Sequence, residues 1–275
     1  MMPSKAPSIS ITENIQLGGD RLVIFAGPCA IETEDLTLQV ARDVKAMGER
    51  LDIDVVFKAS YDKANRTSLS SYRSAGMDEG LRILQRVKDE FEMPVITDVH
   101  ESTQMPRVAE VADVVQIPAF LCRQTDLLIA AGKSGRAVNI KRGQFMAARD
   151  MRFAVQKVQQ SGNPNVFLTE RGVTFGYHDL IVDMRSFPIM REFAPVVYDV
   201  THSIQQPGAM DGSSGGARWL APPLARGAVA VGVDGLFLET HPDPDNALSD
   251  GPNMIPTGEL EAVLAKLKAI WELAR

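Results

Sequence analysis

The chain has 275 residues, 45% of them hydrophobic and 23% charged, with a formal net charge of −6. That length buries a substantial core, and the acidic balance excludes bulk electrostatic attraction to nucleic acid or an anionic membrane. Cys29 and Cys122, the two cysteines, form no disulfide scaffold and fit a reducing cytoplasm. The opening M-M-P-S-K-A-P-S has no apolar signal core and no run is long enough to span a bilayer. The expectation is a cytoplasmic chain with no nucleic-acid or membrane partner.

In chain order, a short piece over Ile9–Leu17 reads as a small hairpin, and Leu22–Ala26 as a strand followed by a helix over Asp35–Leu51. Ile53–Phe57 precedes a helix over Met77–Phe91, Val95–Thr97 one over Thr103–Val111, and Val114–Ile117 one over Thr125–Lys133. Ala137–Ile140 leads to Ala148–Ser161, and Val166–Leu168 to a longer connection with a helix over Phe187–Phe193. Val196–Val200 precedes Trp219–Val231, and Leu236–Leu238 precedes the last helix, Glu259–Leu273. The strands are short and apolar on both faces, as parallel strands covered by helices are. Eight such units in this length argue for an α/β chain folded as one (β/α)8 barrel domain over residues 1–275, the hairpin capping its bottom.

Barrel active sites lie at the C-terminal strand ends, which makes a test available. Those ends carry Cys29, Lys58, Asp98 with His100, and Gln116 followed by Pro118 and Arg123. Then come Asn139 with Lys141, Glu170 with Arg171, Asp199 with His202, and Glu239 with His241. The opposite ends carry ordinary turn residues such as Pro195 and Gly235. The stretch after the second strand, F-K-A-S-Y-D-K-A-N-R-T-S-L-S-S-Y-R, adds Ser60, Lys63, Asn65, Arg66 and Thr67. Charge-assisted donors and hydroxyls held at a rigid strand end suit a phosphate or carboxylate ligand; a merely solvated basic loop is the plainer account.

Two sets stand out in that mouth. Lys58, Lys63, Arg66, Lys141 and Arg171, with Arg123 nearby in sequence, supply more positive charge than one phosphate needs. Two anionic ligands, or one ligand with two anionic groups, follow. Cys29, His202, Glu239 and Asp250 come from strands one, seven and eight, which are neighbours once a barrel closes. Thiolate, imidazole and carboxylate donors together suit a borderline divalent ion such as Zn²⁺ or Fe²⁺ more than Mg²⁺. Singly, each has an ordinary alternative: a small buried cysteine, a hydrogen-bonded histidine, capping or ion-paired carboxylates.

The segments A-G-P-C-A-I-E, F-K-A-S-Y-D-K-A-N-R-T-S, T-D-V-H-E, Q-I-P-A-F-L-C-R-Q-T-D, N-I-K-R-G-Q-F, T-E-R-G-V-T-F-G-Y, D-V-T-H-S and L-E-T-H-P-D-P-D-N-A-L-S-D resemble the 3-deoxy-D-manno-octulosonate 8-phosphate synthase family, from about Leu22 to the C-terminus. Its fold and chemistry are shared by the 3-deoxy-D-arabino-heptulosonate 7-phosphate synthases, which carry K-P-R-T-S where this chain has K-A-N-R. Cys29 places the chain, by resemblance, in the metal-dependent branch. The resemblance implies condensation of phosphoenolpyruvate with D-arabinose 5-phosphate, with Lys58, Ser60, Lys63, Lys141 and Arg171 holding phosphoenolpyruvate. Asn65, Arg66, Thr67 and a neighbouring subunit's Arg123 would hold the aldose, Thr67 standing where serine is usual. It further implies binding or catalytic parts for Asp98, His100, Gln116 and Asp250, and lid contacts from Gln205 and Ser214. The metal, Zn, Fe, Mn or Co, would sit on Cys29, His202, Glu239 and Asp250 in a homotetramer that needs no organic cofactor. Three rivals stand beside this reading: the heptulosonate reaction on erythrose 4-phosphate, a Schiff-base aldolase using Lys58 or Lys141, and a barrel that only binds phosphosugars.

Overall fold

The computed structural model describes residues 8–66, 68–174, 177–210 and 213–275. Among them, eight parallel strands close into a barrel: β1 (Val23–Gly27), β2 (Asp54–Lys58), β3 (Val95–Asp98), β4 (Val114–Ile117), β5 (Ala137–Lys141), β6 (Val166–Glu170), β7 (Val196–Asp199) and β8 (Gly235–His241). Each pairs in register with the next, and β8 pairs with both β7 and β1, so no edge remains. The (β/α)8 expectation is met. The helices are α1 (Glu34–Leu51), α2 (Met77–Phe91), α3 (Met105–Val111), α4 (Thr125–Lys133), α5 (Met151–Gln160), α6 (Ser186–Arg191), α7 (Ala221–Val231) and α8 (Thr257–Leu273). No helix among the described residues is long and apolar enough to cross a membrane.

Local chemistry sets the helix ends. Thr33 caps α1 by accepting from Leu36 N at 3.2 Å, with Glu34 and Asp35 in the first turn, where the helix dipole favours acids. Three starts lie later than the sequence suggests, because 3₁₀ turns over Ser102–Gln104, Ala148–Asp150 and Arg218–Leu220 precede α3, α5 and α7. An antiparallel pair, Gln205–Met210 with Ser213–Gly216, interrupts what reads as loop after β7.

Strand alternation divides the core. Side chains facing the helices form one large apolar cluster, and a second fills the lower barrel with Val23, Phe25, Val56, Ile96, Val114, Ala137, Phe167, Val197 and Phe237. Ile9, Ile11 and Leu17 of the N-terminal hairpin (Ile9–Ser10 paired with Gln16–Leu17) join this inner cluster, so the hairpin plugs the bottom as expected. Gly235 makes room for it: a Cβ there would stand 2.9 Å from Leu17 Cδ1 and 2.8 Å from the Val23 carbonyl. Two residues further along the inner face, the apolar set gives way to Lys58, Asp98, Gln116, Asn139, Thr169, Asp199 and Glu239. The barrel interior is therefore oily below and ionic above.

Candidate active site

Above this ionic layer the mouth encloses a cavity of about 740 Å³. Lys58, Lys63, Asn65, Arg66, Asp98 and His100 line one side of it. Gln116, Lys141, Arg171, His202, Gln205 and Asp250 line the rest. Cys29, Ser60 and Glu239 lie beneath, 1%, 0% and 0% exposed. Residues from all eight strand ends thus meet in one place, because every inward-facing position at a strand's upper end is directed there.

Two ionic centres make up the floor. Lys58 donates to the Cys29 carbonyl at 2.7 Å and to Glu239, with no solvent to screen the pair. Lys63 stands 4.0 Å from the same carboxylate. Opposite, Lys141 donates to Asp199 Oδ2 at 2.6 Å, and His202 Nδ1 lies 2.9 Å from that oxygen. Asp98 accepts from Ser60 and Gln116, and the chain continues from Asn139 to Gln116 and from Thr169 to Asn139, each at 2.7 Å. Arg171 donates to the His202 carbonyl at 2.8 Å and to Gln205 at 3.2 Å, leaving its buried Nε without a partner.

Ionisation follows from these neighbours. Burial opposes charge on Glu239, but His202, Lys58 and Lys63 outweigh it and hold the carboxyl well below the usual range. The same balance depresses Asp98, through Lys63 and Lys58, and Asp199, through His202 and Lys141. Burial lowers Lys141 and Arg171 despite Asp199 beside both. Burial, reinforced by Glu239, pushes the Cys29 thiol up to about 12.

The metal-ligand expectation can be tested on the donors themselves. Cys29, Glu239 and Asp250 present one ligand atom each within 4.8 Å of one another. His202 falls outside that tight set of three, but its Nε2 is 3.5 Å from Glu239 Oε2 and 4.0 Å from Asp250 Oδ2. Glu239 Oε2 is buried with no hydrogen-bond partner, an expense that a cation would remove. The donor set fits a borderline divalent ion.

Other expectations meet mixed outcomes. Thr67 lies outside the described residues, as does the side chain of Ser214, whose backbone runs in the strand Ser213–Gly216. Glu170, counted among the mouth residues, points away from it and pairs with Arg142 behind the barrel wall. The period-two alternation that sends Thr169 and Arg171 inward sends Glu170 outward. His241 is buried 3.7 Å from Glu32 and does not line the cavity. Arg123 is exposed and absent from this chain's own mouth; it borders a separate hollow with Phe145, Phe153 and Lys157. Phe120 is 40% exposed, whereas Leu121 beside it packs on the outer core.

Ser249, which the sequence reading passed over, accepts from Arg66 and lies 2.9 Å from Cys29 Sγ. Its adjacency to Asp250 was the available signal. Tyr72, His178 and Gln144 also line the cavity without any sequence cue.

Comparison with known proteins agrees with this geometry. Residues 7–274 match the family model described as the DAHP synthetase I family. The chain is 54% identical over 264 residues to the 2-dehydro-3-deoxyphosphooctonate aldolase of Trichlorobacter lovleyi, covering 95% of this chain and 97% of the relative. Proteins of the same name from Geobacter sulfurreducens and Brucella anthropi are each 55% identical, over 259 residues (94% of this chain, 95% of the relative) and 253 residues (92% and 91%). With a closed barrel, a cationic mouth and identity of this depth over nearly all its length, the chain belongs to the DAHP synthetase I family and, within it, to the 2-dehydro-3-deoxyphosphooctonate aldolases.

Proposed function

We propose that this chain, acting as one barrel domain, condenses phosphoenolpyruvate with D-arabinose 5-phosphate and water, giving 3-deoxy-D-manno-octulosonate 8-phosphate and inorganic phosphate. The observation that carries the reading is the convergence of Lys58, Lys63, Arg66, Lys141 and Arg171 on one cavity, beside a thiol and carboxylates suited to a metal. In the reaction, C3 of the enol attacks the aldose aldehyde, forming the new C–C bond, and the aldehyde oxygen takes up a proton. Water adds its oxygen to C2, and the C2–O bond to phosphate breaks, leaving a ketone.

Lys58, Ser60, Lys63, Lys141 and Arg171 hold the carboxylate and phosphate of phosphoenolpyruvate, with fixed positive charge where the enol carries negative charge. Asn65, Arg66 and Thr67 hold the aldose phosphate, joined by Arg123 from a neighbouring subunit of a homotetramer. Asp98 and Gln116 keep Ser60 oriented, His100 lines the cavity wall, and Gln205 and Ser214 would supply lid contacts. Asp250, in the set with Cys29 and Glu239, takes a catalytic part. Cys29, His202, Glu239 and Asp250 would hold a divalent Zn, Fe, Mn or Co ion, which would supply Lewis-acid chemistry to the site. No organic cofactor is called for. The product is an eight-carbon sugar acid for lipopolysaccharide, made in the cytoplasm.

The second reading, the heptulosonate reaction on erythrose 4-phosphate, shares the DAHP synthetase I family, but the relatives' name favours the octulosonate product. Phosphate release with each aldose, before and after dipicolinate treatment, tests both points. Arabinose 5-phosphate should be the better substrate by far, and chelation should abolish turnover until Mn²⁺, Fe²⁺ or Co²⁺ is returned. Preference for erythrose 4-phosphate would overturn the substrate assignment, and full activity in verified metal-free protein would overturn the metal.

A further inference from the structure

Behind the mouth, between barrel and helices, lies a charged pair that does not line the mouth cavity. Arg142 is 5% exposed and Glu170 0%. Arg142 Nη1 donates to Glu170 and, at 2.8 Å, to Ser186 Oγ in the first turn of α6, while Nε and Nη2 donate to the Met146 carbonyl at 2.9 and 2.7 Å. The other oxygen of Glu170 accepts from Gly172 N at 2.7 Å, a bond that spans Arg171 and closes a turn in which Gly172 has φ +92°. The Arg142 backbone N–H in turn donates to the Thr169 carbonyl at 2.9 Å, locking the top of β5 to that of β6.

A buried ion pair is a poor way to gain stability, since an apolar pair of similar volume often does as well or better. The surrounding layer is apolar, so the pair calls for another reason. Its position supplies one. Lys141 immediately precedes Arg142, and Arg171 stands between Glu170 and Gly172. Both neighbours face the mouth because strand alternation puts them on the opposite face. The Gly172–Glu170 and Arg142–Thr169 bonds therefore fix backbone beside Arg171 and Lys141, cations that the proposed reaction uses, while the bonds to Ser186 and Met146 anchor the Arg142 guanidinium itself.

We infer that Arg142 and Glu170 are a positioning pair that sets the spacing of Lys141 and Arg171 for the two anionic groups of the enol substrate. The inference rests on the reaction proposed above. It makes the pair matter for phosphoenolpyruvate and far less for the aldose, whose proposed contacts come from the loop after β2. A purely structural role would shift stability and leave the two Michaelis constants together.

The test is the double variant Arg142→Met/Glu170→Met, which removes both charges and strands neither. In protein shown to be folded by circular dichroism, KM for phosphoenolpyruvate should rise about tenfold or more while KM for the aldose moves less than about twofold, the split expected when oriented groups lose their alignment. Arg142→Lys keeps the charge but cannot reach Glu170, Ser186 and Met146 together, and should give a smaller rise of the same kind. An unmoved KM for phosphoenolpyruvate in the folded double variant overturns the inference; if that variant does not fold, an unmoved KM in Arg142→Lys does so. Wild-type turnover is the control: its absence sinks the reaction and the pair with it, whereas normal wild-type turnover beside an unmoved variant sinks the pair alone.

Discussion

A Cβ on Gly27 would stand 2.1 Å from the carbonyl oxygen of Lys58, so at the top of β1 only glycine allows β2 this close. That approach lets Lys58 Nζ reach the Cys29 carbonyl and Glu239. Gly27→Ala should push the two strand tops apart and cost roughly 1–3 kcal/mol as an overpacked contact; an unaltered urea midpoint would show that the wall yields freely. Arg66 sits differently, holding the Tyr72 carbonyl at 3.0 Å and Ser249 without a close carboxylate, Asp250 being 4.0 Å away. Its Nη1 makes only that long ion pair, which leaves the guanidinium able to turn to the proposed aldose phosphate. Arg66→Ala should raise KM for arabinose 5-phosphate roughly ten- to hundredfold, the loss of one charge-assisted contact, and change KM for phosphoenolpyruvate much less. Equal losses would assign Arg66 to the other substrate.

At the level of elements, the hairpin over Ile9–Leu17 is a plug, and its effect should be on stability alone. Leu17 is fully buried in the inner apolar cluster. Leu17→Ala should therefore cost about 2–5 kcal/mol through lost transfer energy and the cavity left behind, read by chemical denaturation, with Michaelis constants unchanged because the ionic layer lies at the other end. Elements of this kind were legible: short apolar, β-branched runs such as Val55–Phe57 and Val114–Ile117 mark strands covered on both faces. The paired strands Gln205–Met210 and Ser213–Gly216 were not, since Gln205-Gln206-Pro207-Gly208 and the Gly/Ser run after it have loop composition and pair only because both ends are anchored. Nor could the chain alone show which way consecutive charged residues face. Glu170 and Arg171 read as twins, yet one strand step sends the first to Arg142 and the second into the mouth cavity. Only the adjacency of Ser249 to Asp250 hinted at its place, because its partner Cys29 is 220 positions away.

For the molecule as a whole, the chain's own mouth lacks the Arg123 guanidinium that the substrate assignment gives it. Arg123 is exposed, forms no ion pair with Asp126 among the described residues, and lies beside the half-exposed Phe145 and Phe153. An apolar, aromatic rim next to an uncommitted cation suits a subunit contact. Complementation decides the point: Arg123→Ala and Lys141→Ala, each inactive alone, should regain activity when mixed under conditions that exchange subunits. In that mixture some sites receive an intact Lys141 from one subunit and an intact Arg123 from another. No recovery in proven mixed oligomers would place Arg123 outside the site or within its own subunit.

Closure of the barrel through β8 carries a consequence for biosynthesis. Cys29 is made early and Glu239 and Asp250 late, yet they meet only because β8 pairs with β1. Until the ribosome has delivered Gly235–His241, β1 and β7 are bare edges and Cys29 is an isolated thiol with no chelating company. On the metal proposal, capture of the ion would be among the last events in maturation, and a nascent chain stalled before β8 should be protease-sensitive and without the proposed metal site however complete its first seven strands are.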